Sequence, residues 1–439
     1  MQNIRNIFIF FTFLIFGISC QRADNSNNQE IATPIRILCE EGPWSDHLQK
    51  MVDSYTQQTG KHVLLSVRKK ETYRNEFSDE MKLRSDQFHI ALIDPLWLPY
   101  GVKNGYFIEF TSWLSKNKLD DYFNKNLQKT YTEYPLESGK VWGIPASYDV
   151  MGLVYRKDFF EGPLEQKLFE EKFHRKLSPP ENVSEFLDLV SYFYRPESRI
   201  YPLADFTKKS FGELSALFSA FVVNRGGVMV DSPNPTARGF LNSKGNVETL
   251  EMIKGLYRKS SDAQDGKIFG KNNRENQVVM GFETYSTFQK MVSHHNFNRN
   301  YGFIPFFKNS KGQRSTIEGR ILVAIGFAPN KDQTFEFLEW FLKEENQAQW
   351  SKMGEISPTQ NILGGPSFYL DGMYRRELMQ GIDGGQRFLM LPEYFDLVGT
   401  LDEDLKQYFI KNDLSASSVL KKIAVKWEYI FEQAGYYKE

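Results

Sequence analysis

Three apolar runs, IRILC (35–39), VLLSV (63–67) and the core of HIALIDPLW (89–97), decide the fold by what separates them. Between the first two, Trp44, Leu48, Met51, Val52 and Tyr55 recur at helical spacing, with Ser45 near the start and Gly60 just past the end. Between the second and third, residues 73–85 keep Phe77, Met81 and Arg84 in register as a polar helix. The third run is apolar at every position from Ile90 to Ile93, as a strand buried on both faces requires. The order β-α-β-α-β with short connections predicts a parallel sheet. In such a sheet the strand-to-helix loops gather at the carboxyl ends of the strands, where ligands bind, and right-handed crossovers bring them to one edge. Two loops there carry carboxylates beside a tryptophan: Glu40-Glu41-Gly42-Pro43-Trp44 and Asp94-Pro95-Leu96-Trp97. Glu41, Trp44, Asp94 and Trp97 are therefore candidate ligand contacts. Trp44 is also in register to be the first buried residue of its helix, and Asp94 to cap its turn.

Further along, Val141–Pro145 and Gly152–Tyr155 read as two strands separated by 146–151. Residues 161–182 read as a charged surface insertion around Pro179-Pro180. Helices are expected at 183–194, 211–223 (stopped by Gly226-Gly227) and 247–259, strands at 278–282, 301–307 and 320–327, and one long helix at 332–350. Val419, Leu420, Ile423, Ala424, Trp427, Ile430 and Phe431 mark a closing amphipathic helix.

The 439 residues are 41% hydrophobic and 25% charged, enough for a large core and against wholesale disorder. A net charge of -1 gives no basic excess for nucleic acid and no acidic tail. Residues 7–18 (IFIFFTFLIFGI) are too short to span a membrane but have the length of a signal-peptide apolar region. With Cys20 directly after Ser19, the start resembles a bacterial lipoprotein signal in which Cys20 becomes the lipidated first residue; Gly17 stands where Leu is usual. Plain secretion is the alternative. Residues 20–33 are polar and Asn-rich, a flexible tether. Cys39, the second of two cysteines, ends an apolar run and is expected as a buried strand residue; a Cys20–Cys39 disulfide is the other option.

The phosphate-binding G-x-x-x-x-G-K-[ST], the zinc-binding H-E-x-x-H and the nucleophile elbow G-x-S-x-G are all absent. His294-His295 lacks the spacing of a metal site, and neither a metal nor a cofactor is expected. An exported carbohydrate-active enzyme would need two carboxylates at the right separation, and Asp94 with Asp149 is such a pair to consider.

The order of segments resembles the extracellular solute-binding proteins of family 1, the maltose-binding-protein-like receptors of ABC importers. The resemblance runs from about Ile35 to the C-terminus. It rests on 59–63 (TGKHV), 89–94 (HIALID) with Trp97, 104–107 (NGYF), 139–145 (GKVWGIP), 152–160 (GLVYRKDFF), 224–227 (NRGG), 279–282 (VMGF) with Tyr285, 337–341 (FLEWF), 347–350 (QAQW) and 357–359 (SPT). The 161–182 insertion and the Gly281/Glu283 pattern depart from the family.

The resemblance implies a two-lobed α/β receptor of the type II periplasmic-binding-protein kind, each lobe a mostly parallel sheet flanked by helices and joined by a three-segment hinge. It would comprise a 1–19 signal, a 20–33 tether, an N-terminal lobe of 34–148 and 302–344, and a C-terminal lobe of 149–301 and 345–439. It implies a monomer that binds a small solute, a sugar or other polyol, in the cleft and presents it to a permease, with no catalysis. It places Tyr148 and Asp149 at the first crossover, Glu283 and Tyr285 at the second lobe's stacking position, and Tyr394 where another aromatic is usual. Asn224 and Arg225 reach the cleft from the second lobe, and Gly319 and Arg320 precede a strand of the first. Arg225 and Arg320 leave an acidic or phosphorylated sugar open, since guanidinium forks fit both. A sensor or adhesin on the same fold is a further alternative.

Overall fold

In the computed structural model the described residues are 34–437, without 120, 124–130, 208–211, 232–233, 262–267, 269–276, 296–299, 313, 315–316, 366–373, 387–388 and 412. The expected signal, Cys20 and the tether lie outside them. The first three apolar runs form Ile35–Glu40 (β1), Val63–Arg68 (β2) and Ile90–Ile93 (β3), with helices Pro43–Thr59 and Lys70–Leu83 between them. β1 pairs in parallel with both β2 and β3. Side chains of β1 alternate between two cores, Ile35, Ile37 and Cys39 to one and Leu38 to the other. Cys39 is buried and unpaired, and burial pushes its thiol far up, so it is an inert core residue.

The strands continue with Ile144–Arg156 (β4), Ile200–Leu203 (β5), Gln277–Thr284 (β6), Tyr301–Pro305 (β7) and Ile317–Ala324 (β8). Their order is β2-β1-β3-β8-β4-β6-β5, with β7 also on β4. The outer pairs are parallel as expected; β8 and β4 run antiparallel to their neighbours, so the sheet is mixed. β4 is one strand of 13 residues, not two. Ile144–Val150 pairs with β8, and Met151–Arg156 pairs with β6 and β7. The polar Ser147-Tyr148-Asp149 looked like a break in the sequence, but all three are buried and the ladder runs through them. β7 pairs along its whole length with the second stretch of β4, Gly152–Arg156.

Two further expectations are corrected. The 161–182 insertion contains the helix Pro163–Phe173, started by Pro163 and anchored by buried Phe169 against Tyr192. The 332–350 helix is two, Lys331–Leu342 and Glu344–Lys352, broken at Lys343. The break is stabilised because the buried Asn346 and Gln347 amides donate to the carbonyls of Trp340 (2.5 Å) and Phe341 (2.8 Å), which a continuous helix would have bonded to backbone N–H. The closing helix Ala416–Gln433 has Ser415 as its N-cap, accepting from the Ser418 N–H. Among the described residues no helix is long and apolar enough to cross a membrane.

Candidate functional site

A cleft of about 500 Å³ lies where β1, β3, β4, β6 and β8 present their ends to one another. Glu40, Trp44, Asp94 and Trp97 come from the β1 and β3 ends, Ser147 and Asp149 from the middle of β4, and Glu318, Gly319 and Arg320 from β8. Phe282 to Thr284, Ser286, Thr287 and Gln289 form the wall at the end of β6, and Glu213, Ala216 and Leu217 of the helix Glu213–Asn224 lie nearby. Its volume is that of a small-molecule site.

Arg320 organises the floor. Its guanidinium donates to the Glu40 carboxylate at 3.0 Å and lies over the Trp44 ring at 4.1 Å, and the Trp44 indole N–H donates to the Glu40 carbonyl at 3.0 Å. The Trp44 face is therefore occupied by a cation. Burial works against the Arg320 charge, but Glu40, Asp94 and Glu318 outweigh it and keep the group protonated. Gly319 is required beside it: φ is +143, and a Cβ would stand 2.4 Å from the Ser147 carbonyl oxygen.

Asp94 begins a short turn and accepts the Leu96 N–H at 2.8 Å. Burial holds its carboxyl above the ordinary range, against the pull of Arg320 and that N–H. Trp97 stacks on Tyr73 (5.4 Å) and meets Phe395 edge-on (5.0 Å), next to Tyr394, so the aromatic wall joins an early loop to the C-terminal helices. Asp149 is held as a tertiary cap on the helix Tyr285–His295: it accepts the Ser286 N–H (3.1 Å), the Ser286 hydroxyl (2.5 Å) and the Val150 N–H (2.9 Å). Burial still raises its carboxyl.

Eight of the thirteen candidate contacts line the cleft: Trp44, Asp94, Trp97, Asp149, Glu283, Gly319, Arg320 and Tyr394. Five do not. Glu41 is exposed one residue beyond Glu40, its backbone N–H donating to the Arg68 carbonyl. Tyr148 is buried against Tyr131, ring centroids 4.6 Å apart, because alternation along β4 turns it away from Ser147 and Asp149. Tyr285 packs on Phe303 and Phe288 inside the core. Asn224 donates to the Phe307 carbonyl at 2.7 Å, and Arg225 pairs with Glu248 at 3.7 Å, both outside the cleft.

Sequence reading missed Glu40, Glu318 and the hydroxyl row Thr284, Ser286 and Thr287. Starting β8 at 317 instead of 320 would have put Glu318 and Arg320 on one face by strand alternation. Glu318 is the most perturbed acid in the cleft. Burial, then the Asp94 and Asp149 charges, push its carboxyl up to about 8, with Arg320 opposing. Two polar contacts stand at the edges: the ion pair of Lys70 with Glu213 at 2.6 Å, and a hydrogen bond between the His47 ring and the Glu355 carboxylate at 2.8 Å. Among the described residues no group of acids, histidines and cysteines could hold a metal ion.

The family described as bacterial extracellular solute-binding protein matches residues 50–368. Among curated proteins none matches the sequence. Among solved structures the chain is similar to an ABC transporter solute-binding protein from Agrobacterium radiobacter K84 in complex with ribitol, at 16% identity and a TM-score of 0.76, covering 91% of this chain and 99% of that one. A solute-binding protein from Thermotoga lettingae TMO bound with α-D-tagatose is 16% identical, with a TM-score of 0.74 over 91% and 99%. Maltose-bound MalE3 of T. maritima is 14% identical, with a TM-score of 0.73 over 90% and 100%. At these identities the likeness is one of fold.

Proposed function

The chain belongs to the bacterial extracellular solute-binding proteins, and from that premise we propose that it is the carbohydrate receptor of an ABC importer, holding a sugar or other polyol in the cleft and delivering it to a membrane permease. The observation that carries the reading is the lining itself: the aromatic side chains of Trp97 and Tyr394 beside carboxylates and hydroxyls of Asp94, Glu318, Thr284 and Thr287. Carboxylates accept sugar hydroxyls and aromatic rings cover apolar sugar faces. A micromolar affinity needs about 8 kcal/mol, so several such contacts must act together.

The lobes we propose divide within β4, near Tyr148 and Asp149, with returns between Pro305 and Ile317 and near Glu344 to Gln347. Closure about these strands would favour the liganded form because only that form touches the solute from both sides. We further propose that Cys20 carries a lipid anchor after removal of 1–19, which would hold the body at the membrane face outside the cytoplasm. The test is a thermal-shift and calorimetric titration against neutral, acidic and basic sugars and alditols, with small-angle scattering for closure. Saturable binding of one class, with contraction and without product release, is expected. Sustained hydrolysis of an oligosaccharide, lost in Asp149→Asn, would overturn the receptor reading in favour of an enzyme.

A further inference from the structure

We propose that the solute is a polyol carrying a protonated amine, an amino sugar or amino cyclitol, whose ammonium is held by Glu318 and Asp94 on the cleft floor. The inference rests on the receptor reading above and names its substrate class.

Acid exceeds base in the lining: eight Asp and Glu side chains face four Lys and Arg. On the cleft floor the cations that an acidic or phosphorylated sugar would need are engaged or elsewhere, and the two remaining lining cations, Lys50 and Lys290, are exposed. Arg320 is bonded to Glu40 and covers Trp44. Lys70 is paired with Glu213, and Arg225 lies outside the cleft with Glu248. An anionic solute would therefore meet a lining in which acids outnumber bases, and on the floor would have to break the Arg320–Glu40 pair.

The acceptors are in the opposite condition. Among the described residues no donor hydrogen-bonds the Glu318 carboxylate, and Asp94 is bonded through one oxygen only, to the Leu96 N–H. The Gln289 side-chain oxygen is buried with no hydrogen-bond partner. With Arg320 turned to Glu40, the Glu318 carboxylate lacks a donor, and a buried carboxylate without one is costly. Burial, and then repulsion from Asp94 and Asp149, raise the Glu318 carboxyl to about 8 and favour its protonated form at neutral pH. An ammonium offsets the repulsive part of that shift and supplies charge-assisted bonds. A metal ion would need three ligands converging within a few ångströms, which the described residues do not offer. A larger organic cation with hydroxyls for Thr284, Thr287 and Gln289 fits the cleft better than a bare ion.

Calorimetric titration of the full chain near pH 7 tests this with matched probes: D-glucosamine, N-acetyl-D-glucosamine, D-glucose and D-glucuronate; the deacetylated and diacetylated forms of chitobiose; and scyllo-inosamine against scyllo-inositol. At least one amine is expected to bind about tenfold or more tightly than its neutral counterpart, and the acid not to bind. Binding of the amine should release a proton from Glu318, seen as a dependence of the heat on buffer ionisation. Glu318→Gln should remove both the proton release and the amine's advantage over its neutral counterpart; Asp94→Asn, whose cap the amide oxygen can keep, should reduce the advantage. A neutral sugar that binds as well as its amine, a preference for glucuronate, or an amine preference that survives both variants overturns the inference and leaves the receptor reading standing. No binding by any member, with native circular dichroism, overturns the carbohydrate reading as well.

Discussion

Replacing Glu318 with glutamine should stabilise the protein, and only at higher pH. Burial and the neighbouring Asp94 and Asp149 charges move this carboxyl from 4.5 to about 8 in the folded chain. The folded state therefore binds the proton more tightly than the unfolded state. Stability contributed by the neutral acid is fully present below about 4.5 and is lost as pH rises through about 8. At 1.36 kcal/mol per pKa unit the whole excursion is on the order of 5 kcal/mol. Glu318 borders an open cleft where water screens part of its charge, so roughly half of that, about 2–3 kcal/mol, is the effect to expect. Glutamine mimics the neutral acid and should not feel the change. Urea titrations of both proteins at about pH 4 and about pH 8.5 would measure it: nearly coincident stabilities at the lower pH, and Glu318→Gln more stable by about 2–3 kcal/mol at the higher. Two parallel curves, or a variant less stable at about pH 8.5, would refute the claim that the floor carries an uncompensated carboxylate.

Other perturbations read other parts of the structure. Gly319→Ala sets a Cβ 2.4 Å from the Ser147 carbonyl at φ +143, and should cost about 2–4 kcal/mol in urea denaturation. Ser286→Ala removes the hydroxyl that donates to Asp149, should lower stability by about 1–3 kcal/mol, and should move the Asp149 carboxyl further up, visible in its carbon-13 titration. Lys254→Met leaves the carbonyls of Phe409 and Lys411 without the buried ammonium that bonds them at 2.8 and 2.9 Å, and should lower stability by roughly 2 kcal/mol. Lys70→Ala breaks a largely exposed pair with Glu213, so its stability should change by less than about 1 kcal/mol by urea denaturation.

The parallel half of the sheet was legible because its signals are local. Ile35–Cys39, Val63–Val67 and Ile90–Ile93 are apolar runs whose separating helices have clear register, and each became the strand expected. β4 was not legible for the opposite reason. A strand that carries one part of the sheet into the next is buried along its length whatever its residues are, and Ser147 and Asp149 are tolerated there because Ile356 and Ser286 bond to them. The break at Lys343 was equally hidden, since it depends on two buried amides reaching back to carbonyls six residues earlier in the chain.

The site shows the same division in sharper form. Loops after β1 and β3 were identifiable as cleft-facing, yet the carboxylate that matters is Glu40 and not Glu41, a shift of one residue that reverses the face. Arg225 and Arg320 looked alike as anion-binding forks. Only packing separates them: Arg225 meets Glu248 at the end of its helix, while Arg320 enters the cleft already paired with Glu40 and laid over Trp44. Composition gave a net charge of -1 for the whole chain, which says nothing about a cleft where acids outnumber bases two to one. The sign of the field at a binding site is set by which side chains the fold leaves unneutralised. That follows from pairings between distant segments, such as Glu318 on β8 facing Asp94 after β3, and such pairings have no local signature.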